Sequence, residues 1–183
     1  MSATNAAKSG AMPGTVATSR DERADSQTQK ITTFLWFDNN AEEAVNFYIS
    51  VFKNSRVIGS ARYGETGPGP KGTIMTIDFE LDGVRYNALN GGPNFKFTEA
   101  MSLVVHCQTQ EEVDYYWEKL SEGGQIIECG WLKDKFGLFW QITPDLLLEL
   151  LQSDDDQKVD RVMKAMMQMK KLDIEGIRKA AEG

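Results

Sequence analysis

Residues Thr33 to Phe52, TFLWFDNNAEEAVNFYISVF, are written a second time in this chain. Ser102 to Ser121, SLVVHCQTQEEVDYYWEKLS, lies over them at an offset of 69 positions, with Glu42-Glu43 on Glu111-Glu112. At that offset the apolar set Ala44, Phe47, Tyr48, Val51 falls on Val113, Tyr116, Trp117, Leu120. A repeat constrains architecture more than any local motif, because each copy is one supersecondary unit that needs a neighbour to bury its apolar face. Two halves of one design are expected.

Each half reads as a strand, a helix and further strands. Ile31 to Asp38 is a short apolar run ending at Asn39-Asn40, a strand entering a turn. Asn40 with Glu43 resembles a capping box at the start of a helix that runs to about Phe52. Arg56 to Tyr63 reads as a strand, and Gly64 to Lys71 as a surface loop. Thr73 to Leu81 alternates, Asp82-Gly83 is a hairpin turn, and Val84 to Leu89 returns. Asn90 to Asn94 then carries the chain into the second half.

In that half Ala100 to Gln108 reads as a strand, and Thr109 with Glu112 as a full capping box. The helix stops at Glu122-Gly123-Gly124. Gln125 to Trp131 is expected as a strand, Lys133-Asp134-Lys135 as a polar turn, and Phe136 to Thr143 as the closing strand. One strand of this half is hard to see, somewhere around Leu132. Thr143-Pro144 is expected to open a Leu-rich helix, with Thr143 as its cap. After Asp154 to Asp156, one final helix carries Val159, Val162, Met163, Met166, Met167 and Met169. Those apolar faces need cover, from their own sheet or from a dimer seam.

The net charge of −7 argues against nucleic acid or an anionic membrane as partner, since either wants a basic face. No apolar run is long enough to span a membrane. Cys107 and Cys129 stand singly, which suits a reducing compartment and a cytoplasmic protein. Residues 1–30 are rich in Ala, Ser, Thr, Gly and Asp, and are expected to be a disordered tail.

Two tandem β-α-β-β-β modules, with FLWFDNNAEEAVNFY, ALNGGPNFKF and CGWLKDKFGLFWQITP in order, resemble the PhnB-like branch of the vicinal oxygen chelate superfamily. Glyoxalase I, bleomycin-resistance proteins and extradiol dioxygenases belong to that superfamily, and this branch has often carried the label 3-demethylubiquinone-9 3-methyltransferase. The resemblance implies an α+β fold whose modules, about 31–95 and 99–152, curl mixed sheets into half-open cups over a ligand cavity. A C-terminal helical extension, 153–183, would follow. It also implies a homodimer that completes or shares the cups.

In metal-using members the ligands come from the first and last strands of each module. Here those positions fall on Thr33, Asn87, Ser102 and Gln141. Two hydroxyls and two neutral amides suit hydrogen bonding to a polar ligand head, or to one another, better than a divalent metal. No cofactor is therefore expected, and a metal-dependent lyase or dioxygenase stands as the alternative. The methyltransferase reading lacks the parallel sheet and Gly-rich turn of the usual S-adenosylmethionine fold. The expected substrate-binding set is Thr33, Leu35, Phe37, Asn87, Ser102, Val104, His106, Trp131 and Gln141.

His106 is the only histidine. Parity places it with Ser102 and Val104 at the cavity mouth, as the repeat mate of Phe37, where it is either a wall residue or a general base. Cys107 would point the other way, and Cys129 would be an edge thiol. The paired glutamates lie in first helical turns, where the dipole accounts for them.

Overall fold

The computed structural model describes residues 29–183, so most of the expected N-terminal tail lies outside the described residues. The first module contains β1 (Thr33–Phe37), α1 (Ala41–Val51), β2 (Arg56–Arg62), β3 (Ile74–Leu81) and β4 (Val84–Asn90). The second contains β5 (Leu103–Cys107), α2 (Gln110–Ser121), β6 (Gln125–Ile126), β7 (Trp131–Lys133) and β8 (Phe139–Pro144). Helices α3 (Asp145–Leu151), α4 (Asp156–Met166) and α5 (Ile174–Glu182) follow. The two sheets run β1-β4-β3-β2 and β5-β8-β7-β6. In each, the first strand pairs in parallel with the last, and the other pairs are antiparallel. The repeat is one of structure.

Local chemistry explains the turns. Asp82 and Gly83 both have positive φ, 45° and 80°, as a two-residue turn between β3 and β4 requires. Thr109 accepts the Glu112 amide at 3.2 Å while Glu112 accepts the Gln108 amide at 2.7 Å, so α2 starts with both side chains engaged. The expected box at α1 does not form. Asn40 makes no side-chain cap bond, and Asn90 on β4 accepts the Ala41 amide instead, at 2.9 Å.

The second sheet differs from expectation in detail. The expected strand Gln125 to Trp131 is split between β6 and β7, with Cys129 and Gly130 in the left-handed region at the break. The hidden strand is β7, whose Leu132 is fully buried. Two strands of two and three residues within the nine residues 125–133 leave too little alternation to see. β8 begins at Phe139, not Phe136, because Asp134 accepts the amides of Phe136 and Leu138 and holds that segment as a turn. Thr143 caps no helix. It remains in β8 paired with His106, and Pro144 takes the cap position without a side-chain bond.

A single core joins the modules. Leu35, Ala44, Tyr48 and Phe79 of the first pack with Val105, Trp117, Leu132 and Trp140 of the second. Phe52 stacks on Tyr116 and Trp140 with ring centroids 5.1 and 5.4 Å apart. Full burial of each such side chain stabilises by roughly 1.5–3 kcal/mol.

The expected single final helix is two, α4 and α5, with the Asp173 carboxylate accepting the Gly176 amide at the start of the second. With α3 they form a separate core of Leu147, Val162, Leu172, Ile177 and Ala181. Gln110 ties this group to the second module through the Leu172 carbonyl and the Ile174 amide, and the Cys129 and Gly130 amides donate to Met169 and Lys170. Met163 and Met167 remain exposed on the outside. No helix among the described residues is long and apolar enough to cross a membrane.

Candidate functional site

Each sheet has a face packed against the shared core and a face left open. On the first sheet Leu35, Phe37 and Ala88 are buried, while Phe34, paired with Asn87, is 56% exposed. On the second, Val105, Cys107 and Ile142 are buried, while Val104 is 45% exposed and pairs with Gln141, which pairs onward with Trp131. Paired residues share a face, and successive residues alternate. The open face of the first sheet therefore carries Phe34, Trp36, Asn87 and Asp78. That of the second carries Val104, His106, Gln141, Thr143 and Trp131.

Thr33, Leu35 and Phe37 thus lie on the core face, away from Asn87, which corrects the expected parity of the first strand. The cause is one residue. Three residues separate β1 from α1 and two separate β5 from α2, so the offset of 69 that aligns the helices becomes 70 in the strands. A one-residue slip turns every side chain of a strand to the other face. The mate of His106 is accordingly Trp36, not Phe37, and the mate of Val104 is Phe34.

The four positions implied by the resemblance separate in the same way. Ser102 and Gln141 meet, with the amide Nε2 donating to the serine Oγ at 2.8 Å. Asn87 donates to Asp78 across the strand pair, and Thr33 lies behind it on the other face. Thr33 and Ser102 do share a cavity of about 180 Å³, with Leu35, Phe97 and Leu138 around it. Neutral hydroxyls and amides, with Ser102 and Asn87 each already engaged, do not fit a divalent transition metal. Among the described residues, no three His, Cys, Asp or Glu side chains are grouped to hold a metal ion.

His106 is exposed, with its Nδ1 3.1 Å from Asp145 Oδ1. A carboxylate accepting from Nδ1–H fixes the tautomer and leaves Nε2 as the acceptor over the open face. Asp145 opens the expected Leu-rich helix, and its contact with His106 is not legible in the sequence beyond its place directly after the Thr143-Pro144 strand end. Cys107 is buried, as its parity required, and burial pushes its thiol up to about 12, with the nearby Glu112 and Asp145 charges adding. Cys129 is partly exposed, its Sγ 3.7 Å from Met167 Sδ.

The family described as 3-demethylubiquinone-9 3-methyltransferase matches residues 29–143, so the match ends before α3. A Bacillus cereus structure titled putative 3-demethylubiquinone-9 3-methyltransferase, PhnB protein, is 44% identical with a TM-score of 0.59, over 63% of this chain and 99% of that one. A Pseudomonas aeruginosa protein is 19% identical with a TM-score of 0.53, over 64% and 98% of the two chains. The fosfomycin resistance protein FosX of Listeria monocytogenes is 18% identical with a TM-score of 0.50, over 69% and 99%. These two matches show the fold alone. No curated protein matches the chain. By sequence the chain belongs to the 3-demethylubiquinone-9 3-methyltransferase family, and its paired modules have the fold of the vicinal oxygen chelate superfamily.

Proposed function

We propose that this protein binds a small, largely apolar molecule with a neutral polar head on the open face of its second sheet, without a tightly held divalent metal. The observation that carries the reading is the Ser102–Gln141 bond beside the exposed Val104 and the half-buried Trp131. A hydroxyl and an amide at the centre of an apolar surface supply both donor and acceptor to a ligand. Asn87 offers the equivalent amide on the first sheet. Exposed apolar residues on both open faces are suited to cover by a second copy of the chain, so we place the working form as a homodimer. Two free thiols suit the cytoplasm.

The methyltransferase label finds no support in the nucleoside-binding turn that the usual S-adenosylmethionine fold would need. Asp38-Asn39-Asn40 and Gln108-Thr109 precede the module helices, where a Gly-rich turn would stand. A second reading rests on one contact, His106 to Asp145. That pair is built to accept a proton at Nε2 and would make the same face a metal-free acid–base site.

Screening melting temperature against small apolar compounds with single hydroxyl or carbonyl groups tests the binding reading. Stabilisation by some of them, lost in Gln141→Ala and absent with S-adenosylmethionine, is expected. Stabilisation by S-adenosylmethionine alone would overturn it, as would stoichiometric zinc, nickel, iron or manganese in protein purified without chelator. Sedimentation of the full chain as a monomer at micromolar concentration would remove the dimer.

A further inference from the structure

A second concavity lies between the modules, bordering the small Ser102 cavity through Lys96 and Phe97. It encloses about 810 Å³ beside the crossover segment 91–101 and the turn from β7 to β8. That volume is in the range of small-molecule sites. None of Asn87, Ser102, Val104, His106, Trp131 and Gln141 lines it.

Its walls combine aromatic rings with cations. Trp36 and Phe95 meet edge to face at 4.9 Å, and Phe136 and Phe139 line the cleft as well. Lys96, Lys133 and Lys135 line the same space. In a chain of net charge −7, cations on the surface have carboxylates to choose from. Lys96, Lys133 and Lys135 make no ion pair among the described residues, and neither do Lys53, Lys119, Lys158 and Lys164; what sets the three apart is that they line one cleft. Lys135 instead sits with Nζ 4.6 Å from the Phe47 ring centroid and 5.2 Å from that of Phe136, and Lys133 Nζ lies 5.9 Å from that of Phe139. Aromatic faces hold an ammonium without neutralising it.

Asp38, Glu99 and Asp134 line the cleft with the three lysines, so the two signs are equal in number there. Asp134 keeps its charge but is buried, and its oxygens face Tyr48, Trp140 and the amides of Phe136 and Leu138, which leaves none of them turned to a lysine. No arginine lines the cleft, so an anion would meet point charges rather than a bidentate fork.

We infer that this cleft binds a small acid with a flat apolar body, its carboxylate or phosphate facing Lys96, Lys133 and Lys135 and its body against Trp36, Phe95 and Phe139. This site uses neither Ser102 nor Gln141 and does not depend on the proposed function.

Calorimetric titration of the full chain with phenyl phosphate, benzoate and neutral benzyl alcohol tests the inference. Both acids bind, benzyl alcohol binds at least about tenfold more weakly, and raising salt weakens the acids. Lys133→Gln with Lys135→Gln weakens the acids about tenfold or more, while Gln141→Ala on the open sheet face leaves them unchanged. Because Lys135 packs on Phe47, the exposed Lys96→Gln is the second variant, expected to weaken the acids by several-fold with an unchanged melting temperature. Equal binding of alcohol and acids would overturn the inference. So would no binding by either acid, or acid binding lost with Gln141→Ala and kept without the lysines. Failure of the open-face reading leaves these outcomes as they are.

Discussion

Tyr48 donates its hydroxyl to Asp134 at 2.8 Å, and that bond ties the helix of the first module to the closing hairpin of the second. Trp140 Nε1 reaches the same oxygen at 2.8 Å, and the amides of Phe136 and Leu138 reach the other at 2.8 and 3.0 Å. The carboxyl is 2% exposed. Burial pushes its pKa up, and the four donors pull it back only in part. A turn, a strand and a helix from opposite halves therefore meet on one side chain.

Asp134→Ala strands two buried donors, Tyr48 and Trp140, at about 1–3 kcal/mol each. The expected loss is several kcal/mol in urea unfolding. Asp134→Asn keeps one good acceptor and loses about half as much. A loss below about 0.5 kcal/mol in both variants would show that the contact carries no stability.

Tyr48 also sets an alkaline limit. Burial first, then the Asp134 charge and hydrogen bond, hold its phenol well above the usual value, and burial raises Tyr86 and Tyr116 as well. Above about pH 10 the unfolded chain releases these protons while the folded chain keeps them, so the unfolded state binds fewer protons. Stability is full below that pH and falls as pH rises, by about 1.4 kcal/mol per pH unit for each retained proton. Denaturant unfolding between about pH 9 and 11 should show this slope, reduced by about one proton in Tyr48→Phe. A slope unchanged in that variant would remove Tyr48 as a source.

The fold was legible because its signals are local or repeated. Asp82-Gly83, the Thr109–Glu112 box and the duplicated helix stripe each act within a few residues of themselves. The faces of the first strand were not, because they hang on the length of one turn, and a helix-based alignment passes over a missing residue there. Asp134 read as a surface turn for a related reason. Flanking lysines are the local signal, whereas its partners Tyr48 and Trp140 come from elsewhere in the chain. Ser102 and Gln141 were each reached separately, as positions implied by the family resemblance, but their contact was not legible, because it depends on which strands are neighbours in the sheet.

Asn90 and Asn40 make a second contrast between near and distant partners. Asn40 occupies the cap position of α1 without capping it, while Asn90 accepts the Ala41 amide and donates to the Ile74 carbonyl at 3.1 Å. Asn90→Ala should cost about 1–2 kcal/mol, as loss of a helix cap does, and Asn40→Ala only a few tenths. Equal losses by urea unfolding would return the cap to Asn40.

The two thiols should separate by reactivity. Thiolate is the nucleophile, so a buried thiol pushed up to about 12 is inert near pH 8, both from its protonation and from its lack of access. Cys129 is partly open to solvent beside Met167. A folded sample treated with a disulfide reagent at about pH 8 should therefore label one thiol per chain quickly, and both only in denaturant. Cys129→Ser should abolish the fast phase, while Cys107→Ser should leave it intact. Fast labelling of two thiols in the folded protein would mean that the strand carrying Cys107 opens readily. Because that strand pairs with β8 beside the Ser102–Gln141 contact, such opening would also be a route by which the proposed ligand face rearranges.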